Sequence, residues 1–398
     1  MEDKKYKIFP VLILAFFRVA LGVAIGLAIP VYLISIQLEP AFIGIITSGT
    51  AMAYLFSPLV FRNIHKKLGL KITLILSSSG FLLIQIILQF TLDPLVIYIL
   101  LIADGTFIGF FWPDLMTIIS LISNQKQYFE SQEKKNKLMK SYSLSWNLGG
   151  VFSFILGTIL LFFIDNNLIM FDFALIFAIT GVIFAFLIQN PGNTTQSEVI
   201  VPLDKGLKCI PIEEEVSFPL YIPLVLIAVY GFLIGGLGLV YPLKSDLLSY
   251  AVFTTYLFYS IRLASQTVAI SKFMDVKLYF VKKILPYSTI VIIFTLFLMA
   301  INQNLIIFSF LFLIFGTFLA FHYTLSFKLI VFRNASENTS KYSAYFETMI
   351  GIGFFFAPII LGFVVNLGID IGFLFLASIT ILSLIFYLLM RKSIKITC

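Results

Sequence analysis

Charge is what this sequence has least of. Only 12% of its 398 residues are charged, against roughly 25% in a soluble domain, while 60% are hydrophobic and the mean hydropathy is +1.03. A chain of that make-up has too little polar surface to face water, so lipid must be its main solvent. Cysteine is nearly absent: Cys209 sits in a polar stretch and Cys398 at the C-terminus, which excludes a disulfide framework. With two histidines and no Cys or His cluster, no metal and no cofactor is expected. There is no Gly-x-x-x-x-Gly-Lys-Ser/Thr loop, no His-Glu-x-x-His and no nucleophile elbow. The chain is therefore expected not to be an enzyme, and any energy it uses should come from an ion gradient rather than from nucleotide hydrolysis in a phosphate loop.

What is abundant is apolar sequence in long runs. A helix needs about 20 apolar residues to cross the hydrocarbon core. Twelve runs qualify, at about 8–36, 41–61, 72–91, 95–122, 141–164, 168–189, 220–241, 247–271, 284–301, 305–332, 342–365 and 371–390. Their length makes them helices, because barrel strands would be half as long and alternate in polarity. The first run, behind Lys4, Lys5 and Lys7, is too long for a leader and reads as a membrane helix.

Basic residues set the orientation. With the N-terminus in the cytoplasm, all but three of the 27 Lys and Arg residues lie in or beside inner segments; the exceptions are Arg18, Lys244 and Arg262. The positive-inside rule then puts both termini in the cytoplasm of a cell-membrane protein. The net charge of +7 thus reflects topology, and no nucleic-acid partner is expected. The longest polar stretch, 190–219, divides the helices six and six: an N-terminal bundle over 1–189, a cytoplasmic linker whose Glu213-Glu214-Glu215 run reads as a solvated face, and a C-terminal bundle over 220–398.

The halves repeat. Gly105-Thr-Phe-Ile-Gly-Phe-Phe-Trp112 in helix 4 matches Gly316-Thr-Phe-Leu-Ala-Phe-His-Tyr323 in helix 10 at an offset of 211. Gly26-Leu-Ala-Ile-Pro30 and Gly238-Leu-Val-Tyr-Pro242 close helices 1 and 7 at an offset of 212. Ser141-Tyr142-Ser143 and Lys341-Tyr342-Ser343 open helices 5 and 11 at an offset of 200. Helices 3, 6, 9 and 12 hold only Gly80, Gly181, Gly368 and Gly372 of the 24 glycines, while Gly-x-x-x-Gly pairs occur in helices 1, 4 and 7. Small residues let helices approach and slide in lipid, so glycine marks the working faces.

Twelve helices, cytoplasmic termini, a six-plus-six repeat and a long central loop resemble the major facilitator superfamily over essentially the whole chain. The resemblance implies an all-α membrane fold of two pseudo-symmetric six-helix bundles around a central cavity, with helices 1, 4, 7 and 10 at the cavity and helices 3, 6, 9 and 12 outside. Its signature motifs are altered: Arg62-Asn-Ile-His-Lys66-Lys67-Leu-Gly69 keeps the final Gly but has Lys66 where the family has Asp. Gly149, Gly150 and Gly157 stand where the family carries a Gly-rich motif in helix 5, without its Pro. The implied function is a secondary active transporter, a monomer that moves a small organic solute by alternating access with proton or ion coupling. The alternative is a transport-incompetent receptor or assembly factor on the same scaffold.

Ionisable groups inside the helices are costly and so point to function or to pairing. The candidates for substrate binding or coupling are Arg18, Asp104, Asp114, Arg262 and Glu347. Asp104 precedes Gly105-x-x-x-Gly109. Desolvation would let it carry a proton, whereas a permanent ion pair with Arg18 would keep it charged. Arg18 and Arg262 offer a guanidinium fork for an anionic substrate, and Glu347 is the expected buried partner of Arg262. Asp114, after Pro113, reads as an inner gate or packing residue, and Asp172 as a solvated charge. Tyr32, Trp112, Trp146, Asn147, Gln266, His322 and Tyr323 are the cavity-lining candidates.

Overall fold

The computed structural model describes residues 7–61, 67–123, 132–164, 166–189, 215–336 and 341–397. Twelve membrane-length helical segments follow one another: α1 (Phe9–Ser35), α2 (Pro40–Phe61), α3 (Leu70–Phe90), α4 (Pro94–Ser123), α5 (Gln132–Phe163), α6 (Ile169–Leu187), α7 (Tyr221–Leu247), α8 (Val252–Phe273), α9 (Leu278–Ile301), α10 (Leu305–Ser336), α11 (Lys341–Val364) and α12 (Ile369–Met390). Eleven are apolar enough to span a bilayer by composition alone; α8 is the exception. The segment Arg62–Lys66, Asp165, Cys209, Glu213, Glu214 and Cys398 lie outside the described residues.

α2 is broken into Pro40–Thr47, Gly49–Tyr54 and Ser57–Phe61. The hydroxyls of Thr47 and Ser48 donate back to the carbonyls of Ile43 and Ile45, a back-bonding that bends helices. Pro58 sits in the first turn of the last piece, where its missing N–H costs nothing. The break frees the Ser57 hydroxyl to donate 3.0 Å to the Gly105 carbonyl of α4.

Helix packing repeats across the halves. α1 packs on α5 and α6, α2 on α4, and α3 on α4 and α6; α7 packs on α11 and α12, α8 on α10, and α9 on α10 and α12. Every pair of the first set recurs with six added to each number. The register holds at atomic detail. A side chain at Gly105 would strike the Thr50 carbonyl, and one at Gly316 would strike the Arg262 carbonyl. Thr50 and Arg262 are 212 apart, as are Ser57 beside Gly109 and Ala269, which packs with Ala320. One sequence match is out of register. Gly149 abuts the Phe16 backbone and Gly353 the Ala228 backbone. Since Phe16 and Ala228 are 212 apart, α5 and α11 correspond at an offset of 204, one turn beyond the 200 read from Tyr142 and Tyr342.

These contacts predict unequal costs for glycine replacement. Gly105→Ala forces its Cβ onto the Thr50 carbonyl and should destabilise by about 1–3 kcal/mol. Gly238→Ala, with nothing within 4 Å of the added carbon, should be neutral or stabilising by up to about 1 kcal/mol. Thermal unfolding of the detergent-solubilised variants checks the difference.

The halves meet along two seams, α5 on α8 and α2 on α11, with α1 touching α7 between them. At the end away from the termini both seams are apolar and close: Gly44 lies on the Pro358 backbone, Gly362 on Pro40 and Ala41, and the Phe162 and Phe253 rings are 5.2 Å apart. Toward the termini the links become polar. Thr267 donates to Asn147 at 3.4 Å, and Lys140 pairs with Asp275 at 3.2 Å, these last side chains being 51% and 70% exposed.

The stretch after the sixth helix ends in structure. Glu215–Ser217 (β1) pairs antiparallel with Lys395–Thr397 (β2), Glu215 opposite Thr397. Beneath it Phe218, Leu278, Phe321, Tyr387 and Ile394 form a separate apolar cluster, and Lys282 donates 2.5 Å to the Ile394 carbonyl. Glu215 of the acidic run is thus in a strand, while Glu213 and Glu214 lie outside the described residues. At the other end of α7, Lys244 is buried, donating 3.1 Å to the Ala300 carbonyl and 2.5 Å to Asp370.

Candidate functional site

α8 falls short of spanning composition because of one face. Thr255, Tyr259, Arg262 and Gln266 follow helical spacing and are all buried in protein. Burial against neighbouring helices is what lets so polar a helix exist at membrane depth. Arg262 is 5% exposed, so its head does not reach the water beyond Phe273. Its Nη1 donates 3.0 Å to Gln266 Oε1, and its guanidinium lies 5.7 Å from the Tyr259 ring centre. Gln266 Nε2 in turn donates 2.5 Å to the Tyr230 hydroxyl of α7. Among the described residues Arg262 Nε has no acceptor and no carboxylate pairs with Arg262.

Glu347, its expected partner, turns the other way. Its Oε2 accepts 2.6 Å from the Tyr54 hydroxyl of α2, across the seam between the halves. Sequence distance from Arg262 to the helix end suggested the pairing, but α11 presents Glu347 to α2 rather than to α8. Tyr142 of α5 and Tyr323 of α10 lie within electrostatic reach of Glu347. The Tyr323 ring centre is 5.5 Å from that of Tyr230, so a line of polar and aromatic groups runs from Arg262 through Gln266, Tyr230 and Tyr323 to Glu347 and Tyr54. Both halves contribute to it.

The other acid–base pair is made within the first half. Arg18 Nη2 lies 3.1 and 3.2 Å from the Asp104 carboxylate oxygens, with the two side chains 5% and 2% exposed. The guanidinium stacks 4.0 Å from the Phe81 ring centre, and Phe111, Phe177 and Gly181 close around it. The ion pair, one of the two readings open for Asp104, is therefore present, joining α1 to α4.

The remaining candidates divide. Asn147 and Tyr323 stand with the central groups: Asn147 Nδ2 donates 2.9 Å to Ser143 O while its Oδ1 accepts from Thr267 across the α5–α8 seam. Trp112 and Trp146 are half-buried, Trp112 edge-on to Phe111 at 5.1 Å. Asp114 is fully buried near the terminal end of α4. Two placements depart from expectation. His322 is not on a central wall: its Nε2 faces the Thr289 hydroxyl of α9 at 3.3 Å, because it lies one helix step from Tyr323 and so on the neighbouring face of α10. Tyr32 points to α6, its ring edge-on to Phe171 at 6.5 Å. Asp172 is exposed in the first turn of α6, as expected. Tyr54, Tyr142 and Tyr230 went unnoticed as site residues. Tyr230 had a signal, being the positional mate of Arg18, and Tyr142 stood in a repeat match; Tyr54 had only its polarity within an apolar run. No cluster of metal-ligating side chains occurs among the described residues.

The family model described as Major Facilitator Superfamily matches residues 11–331. A crystal structure of a point mutant of the nucleoside transporter NupG superposes with a TM-score of 0.73 at 14% identity, covering 96% of this chain and 99% of that one. A second NupG structure gives 0.71 at 14% identity, covering 96% and 98%. At that identity the likeness shows the fold alone. Among curated proteins none matches.

Proposed function

Because the chain belongs to the Major Facilitator Superfamily and is a multi-pass membrane transporter of solutes, we propose that it works as a secondary active transporter coupled to protons, with Glu347 as the coupling group. The carrying observation is the Tyr54–Glu347 hydrogen bond at 2.6 Å. It places a carboxylate that has no cationic partner among the described residues on the seam that must open for alternating access. An ionised, partnerless carboxylate at this depth is costly, so taking up and releasing a proton is its natural chemistry. Asp104, held by Arg18, is assigned instead to binding α1 to α4.

In this reading the bundle over 1–189 rocks against the bundle over 220–398, with the chain over 190–219 joining them and the protein acting as a monomer in the cell membrane. Both termini are cytoplasmic. The close glycine contacts seal the outer side, and the exposed Lys140–Asp275 pair is the weaker inner lock. Exposed ion pairs are worth only about 0–1 kcal/mol, so such a lock opens readily.

The test uses proteoliposomes holding a pH-sensitive dye and a radiolabelled solute chosen because it raises the protein's melting temperature. Solute entry with internal acidification is expected. Entry with a silent dye overturns coupling, and no entry overturns transport.

A further inference from the structure

Three cations stand away from the basic end of the molecule, and two are neutralised. Arg18 is paired with Asp104, and Lys244 with Asp370. Arg262 has no carboxylate partner among the described residues, although it is as deeply buried as Arg18. A membrane protein gains nothing from a buried charge that no partner compensates. The half-satisfied geometry is specific: Nη1 is occupied by Gln266, while the edge of the fork carrying Nε lacks an acceptor. That edge matches a carboxylate or phosphonate in two parallel hydrogen bonds. The Tyr230 oxygen accepts from Gln266 and keeps its own proton to donate, a second neutral donor within electrostatic reach of Arg262. Next to these donors the Tyr230 and Tyr323 rings lie 5.5 Å apart, Tyr323 itself stacking on Phe327 at 5.7 Å. A flat apolar body fits against such rings.

Resting on the transporter reading above, we propose that Arg262, with Gln266 and Tyr230, binds the anionic head of the cargo, and that the cargo is a small organic anion with a planar body lying on Tyr230 and Tyr323. The missing counter-ion of Arg262 is the substrate itself. Arg18 takes no part, because its charge is spent on Asp104.

The purified full-length protein in a neutral detergent is heated with benzoate or phenylphosphonate as anionic probes, with benzamide and uridine as neutral ring-bearing controls, and with inorganic phosphate as an anion without a body. At least one ring-bearing anion should raise the melting temperature by about 2 °C or more, while the neutral compounds do not. Arg262→Gln, which removes a charge rather than stranding one, should fold and lose the shift. Arg262→Lys keeps the charge without the fork and should weaken binding about tenfold. No shift with either ring-bearing anion, equal shifts with benzamide or uridine, a shift from inorganic phosphate as large as theirs, or a shift that survives Arg262→Gln would each overturn the assignment. Counterflow of the bound anion in proteoliposomes separates the two readings. Binding without flux leaves the site standing and removes the transporter reading; flux of a neutral solute untouched by Arg262→Gln does the reverse.

Discussion

Asp104→Asn is expected to destabilise the solubilised protein by about 3–5 kcal/mol, a loss comparable with the whole stability margin of many domains. The reason is Arg18. At 5% exposure, with the Phe81 ring 4.0 Å from its guanidinium and apolar side chains around it, Arg18 cannot turn to water when its carboxylate is removed. The amide still accepts a hydrogen bond but brings no charge, so a cation is stranded. Arg18→Met with Asp104→Leu removes both charges at once and should recover most of the loss, because a buried pair is often no more stabilising than well-packed apolar side chains. Melting curves of the single and double variants form the cycle that decides this. Were Asp104 the proton carrier instead, the single variant would melt like the parent and only proton-driven uptake would fail. The sequence leaves both outcomes open; the 3.1 Å contact favours the pair.

How far the sequence reached follows from what apolar runs measure. They report the lipid-covered length of a helix and not its hydrogen-bonded length. α5 therefore begins at Gln132, nine residues before the run at 141, and α7 ends at Leu247, six beyond 241, since polar residues such as Lys137 and Lys244 continue helices out of the core. The break in α2 is invisible to a hydropathy window, because Thr47 and Ser48 bend the backbone without lowering apolarity much. The repeat was legible where glycine required backbone contact, as at Gly105 and Gly316. It was misread by a turn in α5 and α11, where the match rested on Tyr142 and Tyr342, side chains free to differ. For the site, sequence found the charges and one pairing, Arg18 with Asp104, but gave Glu347 to Arg262 rather than to Tyr54. Which neighbour a buried charge meets depends on helix rotation, and a rotation of one residue separates His322, against Thr289, from Tyr323 at the centre. Tyr54 could be recognised only once α2 and α11 were seen to touch.

Glu347→Gln should abolish accumulation while sparing exchange, the largest functional effect expected of a single substitution here. Glutamine keeps an oxygen that the Tyr54 hydroxyl can reach, so the seam contact at 2.6 Å and the fold should persist. It cannot lose a proton, however, and so holds the site permanently in the neutral form. A proton gradient of one pH unit is worth about 1.4 kcal/mol per proton, enough for a one-proton symporter to concentrate its solute about tenfold. The variant should level off near onefold under the same gradient, with counterflow at a rate close to the parent's. The sign of the pH dependence follows. Parent uptake rises as the outer pH falls, because loading needs Glu347 protonated; the variant's uptake is flat. Among the described residues the titratable groups facing Glu347 are Tyr54 from α2, Tyr142 from α5 and Tyr323 from α10, phenols that stay neutral across the physiological range, so none of them obscures the comparison. Coupling also answers a problem set by an anionic cargo. Carrying one negative charge into a cell with a negative interior costs about 2.3 kcal/mol per 100 mV, and a proton carried with it removes that cost. Uptake by the parent should therefore be insensitive to an imposed potential for a singly charged anion. Proton-driven concentration that survives Glu347→Gln would move the coupling group elsewhere in the molecule.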